Sequence, residues 1–597
     1  MADEKGTWKR FQRLSFDSKA LSKRAKRAET KTTRHTHKFV LSKINSLRSA
    51  RRHIITWLAI VGVIMTAVIL QTLWYQQSYR QPTWAAGGTY AEGVLGPIDT
   101  LNPLFATSDA ELSADKLLYS SLYDYDQTSH LRDDLATSMK VSKDERTYTI
   151  TLRNDAKWSD GAKVTARDVV YTIGLMKSPD VRSVMYGNWT DVQAKAIGDY
   201  TVEFTVPQRY AAFRHALTFS VLPKHILEDI PLANLRQNTF SVSPVGSGPF
   251  SLRLLQLAPD GKHRIANFVA NDEYYRGKPL LSRFAIHSYQ AQNDITQALK
   301  TGEINAGSDV DSASKSIPKS YIRQFVPIHS GVYALFNTST GILKDAAIRR
   351  ALQVGTDTKA IRSAVGYPVP KLDLPFVQGQ LAGQKIPIAP AYSKVQATKL
   401  LDKAGWKFSQ SEGHRVKKAQ PLTLSIVTVK NTDYEKVVNE LASQWRQLGV
   451  DVKINAQDPN NPTQDFVQNV LQPRSYDVLV YKLLIGADPD VYAYWHSSQA
   501  TRLGYNFSNY KSDISDDALT SARSRNVPAL RNEKYKDFAR QWLQDAPAIG
   551  LYQSVLQYVY SPSVHPVIPK AGIPSESDRY VNILYWSAVQ DQVYKTP

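Results

Sequence analysis

Asp488, Asp490 and His496 stand close together late in the chain, and side chains of these types can hold a metal ion or move a proton. Their context argues for something plainer. Asp488-Pro489 is a turn-forming pair, and nothing nearby supplies a second histidine at ligand spacing. His35 and His37 lie in a basic run, Arg34-His35-Thr36-His37-Lys38, where solvated side chains are the simpler reading. Gly246-Ser247-Gly248 has one residue between its glycines, so it is not the G-x-S-x-G elbow of a hydrolase; it reads as a turn that lets backbones approach closely. Cysteine is absent, which removes thiol nucleophiles, disulfides and thiolate metal sites. No Walker loop is present, and no serine, histidine and acid stand in a catalytic context. The chain is therefore expected to be a non-enzyme without a cofactor. What it has in quantity is aromatic surface, with 32 tyrosines and 11 tryptophans. Tyr186, Asn188, Trp189, Tyr481, Tyr492 and Trp495 can line a cleft that stacks on peptides or sugars, and each can equally well pack a core.

Strand and helix signals interleave along the chain, which predicts α/β lobes to carry these residues. In the stretch from Tyr148 to Met176, Tyr148, Ile150 and Leu152 alternate as in a strand, and Trp158-Ser159-Asp160-Gly161 reverses the chain. Thr165 with Asp168 then opens a helix whose Val169, Ile173 and Met176 share one face. Leu422 to Ile454 predicts a βαβ unit. Its strand carries Leu424, Ile426 and Val427, and its helix, from about Asp433, carries Val437, Leu441, Trp445 and Leu448 before Gly449. A further strand is expected over 476–484, and helices over 345–353 and 393–404. A long ordered loop is expected over 366–390, which holds five prolines.

The net charge of +20 is mostly a property of one end. Residues 1–53 carry 16 Lys/Arg against four acids, which leaves only +8 for the remainder. No charged residue occurs from Ile54 to Tyr79, and this stretch is long enough to cross a bilayer as a helix. Trp57 lies near one end of it and Trp74 and Tyr75 near the other, with Arg48, Arg51 and Arg52 flanking the N-terminal side. These residues predict a single-pass anchor in the cell membrane, with residues 1–53 in the cytoplasm and the rest outside. A cleaved signal peptide is the competing reading, with Ala85-Ala86 following the apolar run, but its leader would be unusually long. The basic tail then orients the span and attracts anionic lipid, and nucleic acid is not among the expected partners.

The string W-S-D-G-A-K-V-T-A-R-D-V-V-Y-T, from Trp158 to Thr172, resembles a signature of the extracytoplasmic solute-binding proteins of family 5, which serve oligopeptide and dipeptide ABC importers. Further likenesses run along the chain. They include Thr100-Leu101-Asn102-Pro103, Pro244 to Phe250, Asn271 to Pro279, Gly302-Glu303-Ile304, Leu335 to Thr338 and Arg349 to Leu352. Asp488-Pro489-Asp490 with Trp495-His496-Ser497-Ser498 resembles the family's late loop facing the ligand. The resemblance implies a bilobal, periplasmic-binding-protein-like α/β fold of type II with an extra subdomain, preceded by the transmembrane helix. Its divisions would be a basic tail (1–53), the span (54–79), a tether (80–88), lobe I (89–132, 246–332 and 553–597), an inserted subdomain (133–245) and lobe II (333–552). The lobes would hinge near Val332–Asn337 and Ile549–Gln553.

The same resemblance implies a ligand site within 481–496, at Tyr481, Lys482, Leu484, Ile485, Asp488, Asp490, Tyr492, Trp495 and His496; Asn102, Tyr186 and Trp189 are further candidates. In peptide binders of the family a tryptophan and an aspartate before the acid-Pro pair meet the peptide. Here those places fall on Lys482 and Ile485, so capture of a free peptide amine would need Asp488 or another acid. The implied partners are a peptide or another small solute and ABC permease subunits with a separate ATPase; the ectodomain is expected to be monomeric. A signalling receptor on the same fold, with the basic tail as effector, and a binder of a non-peptide solute such as an oligosaccharide are the alternatives.

Overall fold

Ten strands share one sheet, and its two longest strands run through both lobes of the body. The computed structural model describes residues 44–594 except 260, 311–314 and 459–464, together with Lys23 and Lys26. The expectations for the tail, including His35 and His37, fall outside the described residues. In chain order the strands are β1 (Thr89–Leu95), β2 (Phe250–Leu257), β3 (Arg264–Ala270), β4 (Arg283–Tyr289), β5 (Ala306–Ser308), β6 (Ile322–Phe336), β7 (Thr423–Val429), β8 (Asp451–Gln457), β9 (Val478–Leu484) and β10 (Ala548–Tyr560). Their order across the sheet is β8-β7-β9-β6-β10-β5-β1-β4-β3-β2. The helices used below are α1 (Ile44–Tyr79), α2 (Asp109–Leu118), α3 (Ala166–Met176), α4 (Gln292–Thr301), α5 (Thr432–Arg446) and α6 (Pro528–Asp545).

The chain divides into two units, residues 1–83 with 591–597 and residues 84–590. In the first, α1 contains an apolar stretch, His53–Gln76, of mean hydropathy 2.3, and its large side chains, Trp57 and Trp74 among them, are exposed. Such a surface is unfavourable in water and suits hydrocarbon. The stretch expected as a tether (80–88) carries a strand, Arg80–Ala85, which pairs with Val589–Tyr594.

The second unit is bilobal, and its buried apolar residues show why. One core gathers Tyr90, Phe284, Ile328, Leu556 and Trp586; another gathers Val332, Ile426, Leu441, Trp445 and Tyr552. On β6 the change of core therefore falls between Ile328 and Val332, and on β10 between Tyr552 and Leu556. The antiparallel register of these strands shifts between Pro327 and Gly331, at that same place. A bulge loosens the ladder and lets the strand bend.

Local sequence chemistry accounts for the elements around these cores. β7, α5 and β8 form the βαβ unit, with Thr423 opposite Asp451 in parallel register. Asn431 caps α5 by accepting from the backbone N–H groups of Asp433 and Tyr434. The helix stops at Arg446, and Gly449 takes φ +86° in the turn that follows. Within 133–245, four antiparallel strands form a separate sheet, of which Thr147–Leu152 buries Tyr148, Ile150 and Leu152. The Asp-Gly turn closes with a bond from Gly161 N–H to the Trp158 carbonyl, and Trp158 is buried. The Thr165 N–H then donates to Asp168 at 2.7 Å to start α3. The helices expected at 345–353 and 393–404 are Ala346–Val354 and Lys394–Lys403. The proline-rich loop between them is pinned by buried Leu372, Phe376 and Leu381.

Candidate ligand-binding cleft

A cavity of about 1300 Å³ lies within residues 84–590. Its wall combines α2, segments of 184–220, the loop after β9 and residues 574–584. Such a volume exceeds what a drug-sized ligand fills. Gly246-Ser247-Gly248 helps to place α2. A Cβ on Gly246 would lie 2.1 Å from the Leu118 carbonyl oxygen, so only glycine lets the two backbones meet. Ser247 is fully buried and accepts from the Ser120 N–H, which is a structural role.

Of the twelve residues expected at the site, Trp189, Leu484, Ile485, Asp488, Asp490 and Tyr492 line this cavity. Asn102, Tyr186, Tyr481, Lys482, Trp495 and His496 do not. Trp495 is 1 % exposed and packs edge-on against Trp542 of α6 and Tyr333, so it belongs to the core. Asn102 is buried; its side-chain Oδ1 accepts from the Leu104 N–H in an Asx turn, and its Nδ2 is buried without a hydrogen-bond partner. Tyr481 stacks on Phe466, and Tyr186 is exposed. His496 stacks on Tyr492 at 4.1 Å between ring centroids. Lys482, on β9, pairs with Glu576, 94 positions away, at 2.9 Å. The carboxylates of Asp109, Asp309 and Glu576 lie together there. Burial, then Glu576, raises Asp109 to about 6, and Asp309 is raised further for the same first reason.

The late acidic loop is heavily paired. Asp488 takes both guanidinium nitrogens of Arg531 at 2.5 Å, and His215 Nε2 lies 3.7 Å from it. Asp490 pairs with Arg523 at 3.2 Å. The Arg523 guanidinium sits between the rings of Tyr210 and Tyr492, at 4.6 and 4.5 Å from their centroids. Its backbone carbonyl also accepts from the Ala211 N–H at 2.9 Å. Tyr210, Ala211 and His215 approach from one side of the cavity, and Tyr492, Asp488 and Arg523 from the other. These contacts hold the two sides together over it.

The family model for bacterial extracellular solute-binding proteins, family 5, matches residues 130–504. The chain belongs to that family. It is 27 % identical over 518 residues to the oligopeptide-binding protein AppA of Bacillus subtilis, covering 81 % of this chain and 88 % of AppA. The structure of that AppA in complex with a nonapeptide superposes with TM-score 0.70 at 24 % identity, covering 85 % of this chain and all of that one. NikZ from Campylobacter jejuni, in complex with Ni(L-His), gives TM-score 0.71 at 26 % identity, over 84 % of this chain and 99 % of NikZ. Members of this family are transport-related binding proteins.

The cavity residues that sequence reasoning missed include Asp115, Lys116, Asp124, Arg132, Tyr210, Arg523 and Asp578. Lys116 bridges Asp124 and Asp578 at 2.7 and 2.9 Å, and Arg132 also holds Asp124. That surplus of positive charge keeps Asp124 below the usual carboxylate range despite its burial. Asp115 differs: among the described residues it makes no ion pair. Its Oδ2 accepts from Ser220, its Oδ1 is buried without a partner, and burial raises it to about 7.

Proposed function

We propose that this chain is a membrane-anchored peptide receptor of an ABC importer. Its two lobes, divided as the sequence reading divides them, close on a peptide and present it to the permease subunits. The observation that carries this reading is the 1300 Å³ cavity bounded by both sides of the cleft, with seven aspartates against five lysines and arginines in its wall. An enclosure of that size with an acid excess suits an extended, amine-bearing chain. The peptide-binding name of the AppA relative supports the same class. The lobes would turn about the bulge at 327–331 and its partner on β10, where the cores change, a few residues from the segments 332–337 and 549–553 that the sequence reading chose. The helix α1 would be the anchor, with the cleft extracytoplasmic.

With Asp488 committed to Arg531 and Ile485 apolar, the ligand's ammonium group would meet Asp115. Isothermal titration of the full chain in mild detergent tests this with a set of unrelated penta- to nonapeptides and their N-acetylated forms. The reading expects several sequences to bind and acetylation to weaken them about tenfold or more, as loss of a charged hydrogen bond does. Binding of none of the set, or of a sugar or metal chelate instead, overturns it.

A further inference from the structure

Outside the cleft, His263, His287 and Glu303 converge on one point. His287 lies on β4, and His263 precedes β3 on the neighbouring antiparallel strand. With Ile265 opposite His287, His263 and His287 face the same side of the sheet two residues apart. Glu303 arrives from a different element. The end of α4 turns through Gly302 at φ +76°, and the Glu303 N–H bonds back to the Ala298 carbonyl, which fixes the loop over the two rings.

Two of the three separations are those of a coordination edge. Nε2 of His263 and Nδ1 of His287 each lie 3.4 Å from the same oxygen, Oε1 of Glu303. The ligand atoms of all three lie within 4.8 Å of one another. Ligands about 2.0–2.1 Å from a tetrahedral ion stand about 3.3 Å apart, whereas a charged N–H···O bond closes to about 2.8 Å. The Nδ1 atom of His287 is buried and forms no hydrogen bond. The supports are those a site of this kind uses: Tyr289 donates to Glu303 Oε1 at 3.1 Å, and its ring stacks on His263 at 4.4 Å. The side chain of His263 is 5 % exposed and that of Glu303 is 44 % exposed, which leaves an approach from solvent on the carboxylate side. None of the three lines the cleft.

We infer that His263, His287 and Glu303 bind a divalent transition-metal ion of the zinc type, with a fourth position left to water. Two imidazoles and one carboxylate suit zinc and neighbouring ions better than magnesium or calcium, which take oxygen ligands. The ion would clip the loop after α4 to the paired strands β3 and β4.

The test uses the full chain in detergent, stripped with a chelator, dialysed against zinc chloride and then assayed for metal by mass spectrometry. The chain with His35→Ala and His37→Ala serves as background, so that the tail contributes nothing. One equivalent of zinc should remain. His287→Ala should lose it, and Glu303→Gln, a change on an exposed side chain, should weaken it at least tenfold. Cobalt chloride in place of zinc should give the visible absorption of a four-coordinate ion, absent in both variants. No retained zinc in the background chain, or equal retention in both variants, would overturn the assignment.

Discussion

Asp115 makes two opposite predictions with one side chain. Its carboxyl is raised from 3.8 to about 7 by burial, so the folded protein holds a proton that the unfolded chain releases between those values. Stability from this group is therefore full below about pH 4, falls as pH rises through that window, and stays low above it. Asp115→Asn should raise the melting temperature of ligand-free protein by several degrees at pH 8 and hardly change it at pH 4. The same variant should weaken free-amine peptides about tenfold and leave acetylated ones unchanged; a uniform loss would mean that it only supports the wall. Asp488 behaves differently, because it and Arg531 are both largely buried. Asp488→Ala strands a guanidinium and should cost about 3 kcal/mol in urea unfolding, which Arg531→Met on top of it should largely restore. Both aspartates are visible in the sequence, but only the pairing separates them, and the cation lies 43 positions from Asp488.

At the scale of elements, the legible parts are those that local chemistry closes. Trp158 to Gly161, the Thr165–Asp168 cap and the βαβ unit from β7 to β8 were readable because their partners lie within about thirty residues. The docking of α2 was half readable. Gly246-Ser247-Gly248 announced a close approach, but not that Leu118 is what it approaches. Gly246→Ala should consequently displace α2 and lower stability by several kcal/mol, measured by thermal melting, since the obstacle is backbone and cannot rotate away. Trp495 was read as ligand-facing because an aromatic beside a turn looks alike in either place; Trp542 and Tyr333 decide it. Lys482 ties β9 to Glu576 through an ion pair, and under the proposed division these lie on opposite lobes. Lys482→Met should favour the open form, seen as a larger radius of gyration in solution scattering, with peptide affinity reduced up to about tenfold. An unchanged radius with unchanged affinity would remove the tie from the account.

For the whole molecule, the long apolar helix and the two-lobed body were legible for different reasons. A charge-free run from Ile54 to Tyr79 is decided by composition alone, whereas the lobes were read through resemblance. Neither periodicity nor composition shows that β6 and β10 carry both cores, because that needs Ile328 and Leu556 on one side and Val332 and Tyr552 on the other. Chain beginning at Trp84 should be released into the soluble fraction, while the full chain should stay with membranes through a carbonate wash. The central claim, that the cleft takes peptides, is tested most directly by native mass spectrometry of the full chain released from mild detergent, followed by denaturing identification of what travels with it. The account predicts a ladder of short peptides of mixed sequence. A single non-peptide species in the cleft would contradict it.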